Sequence, residues 1–272
     1  MKDSKKQNQK NWNKIRAKNW SLFTPPARPS QGELMQYEKG VIKYGLNNLS
    51  HWALLGGTPE IRSLAAQYKK HLLCIDRNEE VFKALTTMVN PHFSENFLCE
   101  NWLDVNIPKS VDLVFADGSL NMLNNTQHKS FIKKIYNMLS SHGWAILRVH
   151  LAEPPRFSTP REVFEWHRSH NSHEPVFSST RTHLDMLWME PETLRISFVD
   201  YHKKICTLNE NSVITNKEFL AYNTLIKYNK IELFYTTHNY FKKIVADYFL
   251  IKEVYSGNDY SRSIQHPIYF LQ

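Results

Sequence analysis

The stretch from Trp52 to Asp76 restricts the fold more than any other part of the chain: an apolar run, the turn Gly56-Gly57-Thr58-Pro59-Glu60, an amphipathic segment, a second apolar run, and then a lone Asp. A buried strand ending in glycine, then a helix, then a strand tipped with a carboxylate, is the nucleotide-binding corner of a doubly wound α/β sheet. Glycine lets main-chain N–H groups approach a ligand where a Cβ would collide, and a carboxylate about 20 residues further on can accept both hydroxyls of a ribose.

The rest of the chain has the order such a sheet requires. After Trp20, an aromatic and proline-rich stretch through Pro25, Pro26 and Pro29 cannot be helical and is expected to wrap the domain as an extended segment. Ser30 sits as an N-cap, with Glu33 supporting the first turn of a lid helix from Gln31 to about Leu46. The pattern then predicts strands at His51–Leu55, His71–Ile75, Asn96–Cys99, Val111–Ala116 and Gly143–Val149, the last opened by a Gly-bounded turn. Between them fall helices at Pro59–Tyr68, Glu79–Val89 and Thr126–Leu139. Such alternation implies parallel strands joined by right-handed crossovers. From about Leu151 to Tyr235 the grammar breaks, and Pro154, Pro155, Pro160, Pro175 and Pro191 punctuate segments that read mainly as short helices. A helix at Thr237–Ala246 and strands at Tyr248–Tyr255 and Pro267–Leu271 restore it, the last two close enough to pair antiparallel. Residues 151–235 therefore read as an insertion before the penultimate strand, not as a separate downstream domain.

At 272 residues, 42% of them hydrophobic, the chain can bury one full core with an inserted lobe. No apolar run approaches the roughly 20 residues that span a bilayer, and the Lys-rich start lacks an apolar signal core, so a cytoplasmic chain is expected. Cys74, Cys99 and Cys206 form no CxxC pair; Cys74 and Cys99 lie in strand-like runs and are expected to be reduced, buried thiols. The formal charge of +8 is concentrated in residues 1–20, where seven basic residues stand against Asp3 alone. That segment reads as a basic flexible tail, and the folded part has little to attract a nucleic acid. His167, His170 and His173 recur at three-residue spacing, but in a stretch read as a solvated loop without a helical frame, so no metal is expected.

Together, Leu54-Leu55-Gly56-Gly57-Thr58-Pro59-Glu60, Asp76, Asn101-Trp102-Leu103-Asp104, Asp117-Gly118-Ser119-Leu120-Asn121 and Gly143-Trp144-Ala145-Ile146-Leu147-Arg148-Val149 resemble a class I S-adenosylmethionine-dependent methyltransferase. The match covers roughly residues 20–150 in ordered motifs, and the terminal strands agree with that family's antiparallel ending. The resemblance implies a Rossmann-like, doubly wound, mainly parallel seven-stranded α/β sheet with an antiparallel last strand and a mainly helical insertion before strand six. The expected division is a tail over 1–20, a cofactor-binding core over 21–150, a substrate-pocket lid over 151–235, and the last helix and strands over 236–272.

The same resemblance implies S-adenosyl-L-methionine as cofactor. Gly56, Gly57 and Thr58 would lie under its methionine and ribose portion; Thr58-Pro59-Glu60 departs from the commoner Gly-x-Gly-x-Gly turn and resembles a Gly-x-Thr-Pro-Glu variant. Asp76 would take the ribose, with Arg77 beside it; otherwise Asp76 is a helix N-cap. Asn101 would meet the adenine amine, and Trp102 either stacks or packs. Asp117, with Gly118 and Ser119, would stand beside the sulfonium, where a carboxylate favours the cation or takes a substrate proton; otherwise it forms a turn. Arg28 is a candidate clamp for the cofactor's carboxylate, or a surface residue. Arg148 and His150 are candidates for substrate contact, His150 as a base. Tyr222, Tyr228, Tyr235 and Tyr240 read as insertion core or lid. The expected reaction is methyl transfer to a small-molecule acceptor. RNA methylation, cyclisation or aminocarboxypropyl chemistry on the same cofactor, and a non-catalytic cofactor-binding module are the alternatives.

Overall fold

The computed structural model describes residues 20–89 and 94–272, so the basic tail expected over 1–20 lies outside the described residues except for Trp20, which is buried. Helix α1 (Gln31–Lys43) is opened by a reciprocal capping box: the Glu33 N–H donates to Ser30 Oγ at 3.0 Å and the Ser30 N–H to Glu33 Oε2 at 2.8 Å. It stops short of Leu46 because Gly45 turns the chain at φ +64° into a single 3-10 turn over Leu46–Asn48. The core then alternates as read: β1 (His51–Leu55), α2 (Pro59–Gln67), β2 (His71–Asp76), α3 (Glu79–Thr86), β3 (Glu95–Cys99), β4 (Val111–Asp117), α4 (Asn125–Met138) and β5 (Leu139–Arg148). The expected turn before Gly143 is strand instead. Helix α4 runs directly into β5, and the extra residues are absorbed by a register shift against β4 between the pairs Val111–Leu139 and Leu113–Trp144.

Between β5 and the last strands lie α5 (Pro160–His170), α6 (Val176–Trp188), β6 (Arg195–Ser197), α7 (Phe198–Glu210), α8 (Asn216–Ile226) and β7 (Glu232–Phe234), with β6 and β7 pairing antiparallel as a ribbon of their own. Then come α9 (His238–Ala246), β8 (Ile251–Tyr255) and β9 (Ile268–Leu271). The seven-stranded sheet has the order β3-β2-β1-β4-β5-β9-β8, parallel from β1 to β5, with β9 antiparallel to both neighbours. Both faces are covered, so its central strands are apolar throughout rather than alternating. Tyr37, Val41, Trp52, Leu54, Ile61 and Phe115 form the core on the α1–α2 side, and Ala53, Val114, Phe131, Ile135, Phe241 and Tyr269 that on the α4–α9 side. Gly40 lets α1 sit directly on β9, since a Cβ there would fall 2.1 Å from the Phe270 ring. The insertion packs a third core of its own, including Phe164, Phe177, Tyr201, Tyr222 and Tyr235.

Three local expectations change. Trp166–His170 is helix, not solvated loop: Thr159 caps α5 with Pro160 in its first turn, and Val163, Phe164 and His167 form its buried face. His167 is buried and hydrogen-bonds Ser179 Oγ through Nδ1 at 2.6 Å, whereas His170 and His173 are exposed. Cys99 is exposed because β3 is the edge strand, while Cys74 is buried and its thiol is pushed up to about 12 by desolvation. Of the four tyrosines, Tyr222 and Tyr235 are core and Tyr228 and Tyr240 lie at the surface. Among the described residues no helix is long and apolar enough to cross a membrane.

Candidate active site

The carboxyl ends of β1, β2, β3, β4 and β5 converge on one edge of the sheet, where open α/β sheets bind ligands. After β1, Gly56 adopts φ +129°, a conformation that a side chain strains, and its N–H donates to Ile75 O at 2.9 Å. At Gly57 a Cβ would meet nothing nearer than Phe82 at 3.8 Å, so the protein itself leaves that space open. Thr58 stands at the N-cap of α2 but makes no capping bond; its hydroxyl donates instead to Asp117 Oδ2 at 3.2 Å. A cavity of about 200 Å³ opens against this turn, lined also by Asp76, Arg77, Asn101, Trp102, Asp117 and Ser119.

Each strand end fixes its side chains by local bonds. Asp76 Oδ1 accepts the Asn78 N–H at 2.9 Å, and it is Asn78, not Asp76, that caps α3. Asn101 donates to Asp104 Oδ2 at 2.8 Å and accepts the Leu103 N–H, which holds the loop after β3. Trp102 donates its indole N–H to Ile75 O at 2.6 Å and packs toward Phe131, so the ring is both a wall of the cavity and part of the core. Ser119 ties the ends of β4 and β1 together through Leu55 O at 2.5 Å. Arg28 stands elsewhere: its guanidinium pairs with Glu60 and faces a separate opening beside Pro29 and Glu174.

A second cavity, about 100 Å³, adjoins the first and shares Trp20, Asp117, Met122 and Ile231 with it. Gly118, Arg148 and His150 line it from the sheet, and Phe177, Arg181 and Phe198 from the insertion. Gly118 needs its φ of +66°, and a Cβ on it would approach His150 Nε2 to 3.3 Å. Asn121 locks His150 in place, accepting its N–H at 2.8 Å while donating to His150 O and to Phe234 O of β7. The His150 imidazole is buried, and desolvation, reinforced by His266, Arg148 and Arg181, holds its pKa well below the usual value. It is therefore neutral at pH 7.

Asp117 at the junction is held by three donors: Arg148 Nε at 2.6 Å, the Tyr37 hydroxyl at 3.2 Å and Thr58. Arg148, itself buried, continues to Glu33 Oε2 at 3.1 Å and to Pro26 O at 3.3 Å, and Tyr260 donates to Glu33 Oε1 at 2.7 Å. Burial raises the Glu33 carboxyl, with the Arg148 charge acting against it. One buried cation thus serves two buried carboxylates. Sequence reading assigned Glu33 to capping and Tyr37 to an apolar face, and it passed over Arg181; the polar run Ser178–Asp185, unbroken except by Leu184, was the available signal. Among the described residues no group of three or more His, Cys, Asp or Glu is arranged to hold a metal ion.

A doubly wound sheet with a glycine turn after β1 and a carboxylate at the end of β2 is the Rossmann-like architecture. Residues 55–147, which span that corner through β5, match the family model described as a methyltransferase domain. The matched segment is that of a methyltransferase domain, and S-adenosylmethionine is the cofactor that the resemblance to the class I methyltransferases implies. Solved structures are similar at the level of fold. N-methyltransferase NodS from Bradyrhizobium japonicum WM9, in complex with S-adenosylhomocysteine, is 10% identical with TM-score 0.50, over 95% of this chain and 96% of that one. A Burkholderia thailandensis 1,6-didemethyltoxoflavin-N1-methyltransferase is 8% identical with TM-score 0.50, over 89% and 78%. A protein described as a putative Zn-dependent alcohol dehydrogenase from Rhodobacter sphaeroides is 13% identical with TM-score 0.52, over 96% and 97%. No curated protein matches the chain.

Proposed function

We propose that this enzyme methylates a small-molecule acceptor bound in the cavity between the ends of β4 and β5 and the helical insertion. The observation that carries the reading is the pair of contiguous cavities that meet at Asp117, one against the glycine turn and one closed over by α6 and α7. Bound S-adenosylmethionine supplies an electrophilic methyl on a positively charged sulfur. The chain's part is to hold, align and exclude water. Gly56 and Gly57 offer bare main chain to the methionine portion, Asp76 accepts the ribose hydroxyls, Arg77 flanks it, and Asn101 meets the adenine. Three donors hold the Asp117 carboxylate at the cavity junction, where it balances positive charge. Neutral His150, on the wall of the same cavity, can orient the acceptor by a hydrogen bond.

Two measurements test this. Incubation with methyl-labelled S-adenosylmethionine and cell extract should place the label in a small molecule and yield S-adenosylhomocysteine; label in RNA, or methylthioadenosine as by-product, would overturn it. Asp117→Asn should weaken S-adenosylmethionine by roughly 3–4 kcal/mol, the value of a unit pair about 4–6 Å apart at effective dielectric near 20, yet barely change S-adenosylhomocysteine, which lacks the charge. Equal loss for both ligands would remove Asp117 from that role.

A further inference from the structure

Helix α6 is buried from Phe177 to Met186 and yet carries polar side chains around its circumference. Ser178 donates to Pro25 O at 2.7 Å, Ser179 meets His167, and Thr180 meets the Tyr222 hydroxyl. Thr182 Oγ1, both His183 nitrogens, Asp185 Oδ1 and Arg181 Nη2 are buried without a partner, and of these residues it is Arg181 that lines the second cavity. Its Nε donates to Asp185 Oδ2 at 3.2 Å, but Nη2 is buried with no hydrogen-bond partner, and the residue lines the second cavity with 2% of its surface exposed. The other fully buried guanidiniums provide the contrast. Arg62 is satisfied at Nε by Glu95, at Nη1 by Phe82 O and at Nη2 by Thr86 and Glu95, and Arg148 has two carboxylates to itself. A buried charged donor without an acceptor is costly, so its persistence beside a cavity marks a place for an acceptor from outside the chain.

Resting on the small-molecule reading above, we propose that Arg181 is the acceptor-recognition residue and that the acceptor is a carboxylic acid with an apolar or aromatic body. Asp185 holds the guanidinium from its Nε side and is itself held by the Tyr235 hydroxyl. A planar carboxylate matches the guanidinium fork. The same guanidinium lies over the rings of Phe177 at 5.3 Å and Phe198 at 4.9 Å, and Met122, Ile226 and Leu233 complete an apolar wall for the rest of the molecule. The other guanidinium in this cavity, Arg148, is held by two carboxylates, Asp117 and Glu33, whereas Arg181 has Asp185 alone, so Arg181 is the less compensated of the two. With the carboxylate held from the insertion, a second nucleophilic atom of the acid is presented to the Asp117 and His150 wall; its bond to the methyl forms as the methyl–sulfur bond breaks, S-adenosylhomocysteine leaves, and the proton is released to solvent.

The test uses the full chain saturated with S-adenosylhomocysteine, whose own thermal protection is measured first; its absence would strike the cofactor site and not this proposal. Benzoate and phenylacetate are then titrated against benzamide and phenylacetamide by calorimetry. The acids should bind roughly 10- to 100-fold more tightly than their amides, and Arg181→Gln, still protected by S-adenosylhomocysteine, should abolish that difference. Asp185→Asn, which removes the internal competitor, should tighten the acids. Equal binding of acid and amide, no binding of either acid, preference for phenyl phosphate over benzoate, or discrimination that survives in Arg181→Gln would each overturn the proposal. If Arg181→Gln loses S-adenosylhomocysteine protection as well, Asp185→Asn decides, and unchanged or weaker acid binding there overturns it.

Discussion

Replacing Arg148 by Met removes the one cation shared by two buried carboxylates, and the consequence can be worked from the geometry. Arg148 makes its bonds to Asp117 at 2.6 Å and Glu33 at 3.1 Å with 2% of its side chain exposed, and the partner side chains are 4% and 0% exposed. In the variant Glu33 keeps only the Ser30 N–H and the Tyr260 hydroxyl, and Asp117 keeps Tyr37 and Thr58. Breaking a buried pair and stranding its charge costs about 3–5 kcal/mol, against a net stability on the order of 5–15 kcal/mol. For a chain of this size that lowers Tm by about 6–10 °C. The loss should also depend on pH with a definite sign. Burial already raises the Glu33 carboxyl and Arg148 opposes that rise, so without Arg148 it climbs further. The penalty is present in full where Glu33 is charged, above its new pKa, and is relieved as pH falls and it takes a proton. Urea unfolding of Arg148→Met should therefore show a larger deficit at pH 8 than at pH 5, and Glu33→Gln should recover about 1–3 kcal/mol of it in a double-mutant cycle. A deficit under about 1 kcal/mol at pH 8, or one that does not shrink on acidification, refutes the reasoning.

Other perturbations separate cradle from scaffold. Gly56→Ala forces a side chain into φ +129° and should cost about 1–3 kcal/mol in unfolding experiments, whereas Gly57→Ala should leave stability within about 0.5 kcal/mol, since no protein atom stands closer than 3.8 Å, while thermal protection by S-adenosylhomocysteine falls at least about tenfold in apparent affinity. Unchanged protection in Gly57→Ala would mean that the open space is not the cofactor's. His183, packed among Phe157 and Trp166, is held down at about 3 by burial first and then by Arg262 and Arg156. A depressed histidine contributes its full stability above the unfolded value near 6.5 and loses it as pH falls toward the folded one, so His183→Gln should flatten the stability slope between pH 6.5 and 4.5 by about 1.4 kcal/mol per pH unit. Identical slopes in urea titrations of the two proteins would contradict this.

What the sequence made legible was whatever depended on local order. The strand and helix alternation from His51 to Ala116, the glycine turn, and the carboxylate after β2 follow from periodicity and spacing within a few tens of residues, and the antiparallel ending from a short connecting loop. What escaped depended on which segments meet. Arg148 and Glu33 are 115 positions apart, so a residue read as a capping partner turned out to hold a buried guanidinium as well. Cys99 follows an apolar pair, Phe97-Leu98, much as Cys74 follows Leu72-Leu73, but β3 lies at the sheet edge, a fact of strand order that no local pattern carries. Helix α5 was hidden by its polar composition, though Thr159 and Pro160 announce its start. Arg181 was passed over because a polar run suggests exposure, whereas α6 is enclosed by the rest of the insertion.

The proposed reaction requires S-adenosylmethionine to lie across the turn after β1 and the carboxylate that ends β2. Calorimetric titration of the whole chain with S-adenosylhomocysteine, beside the same titration of Asp76→Ala, addresses that directly. Saturable binding at one site per chain is predicted, weakened in the variant by at least about tenfold for the loss of a charged acceptor to two ribose hydroxyls. No heat with the wild-type chain, or equal affinity in Asp76→Ala, would contradict it.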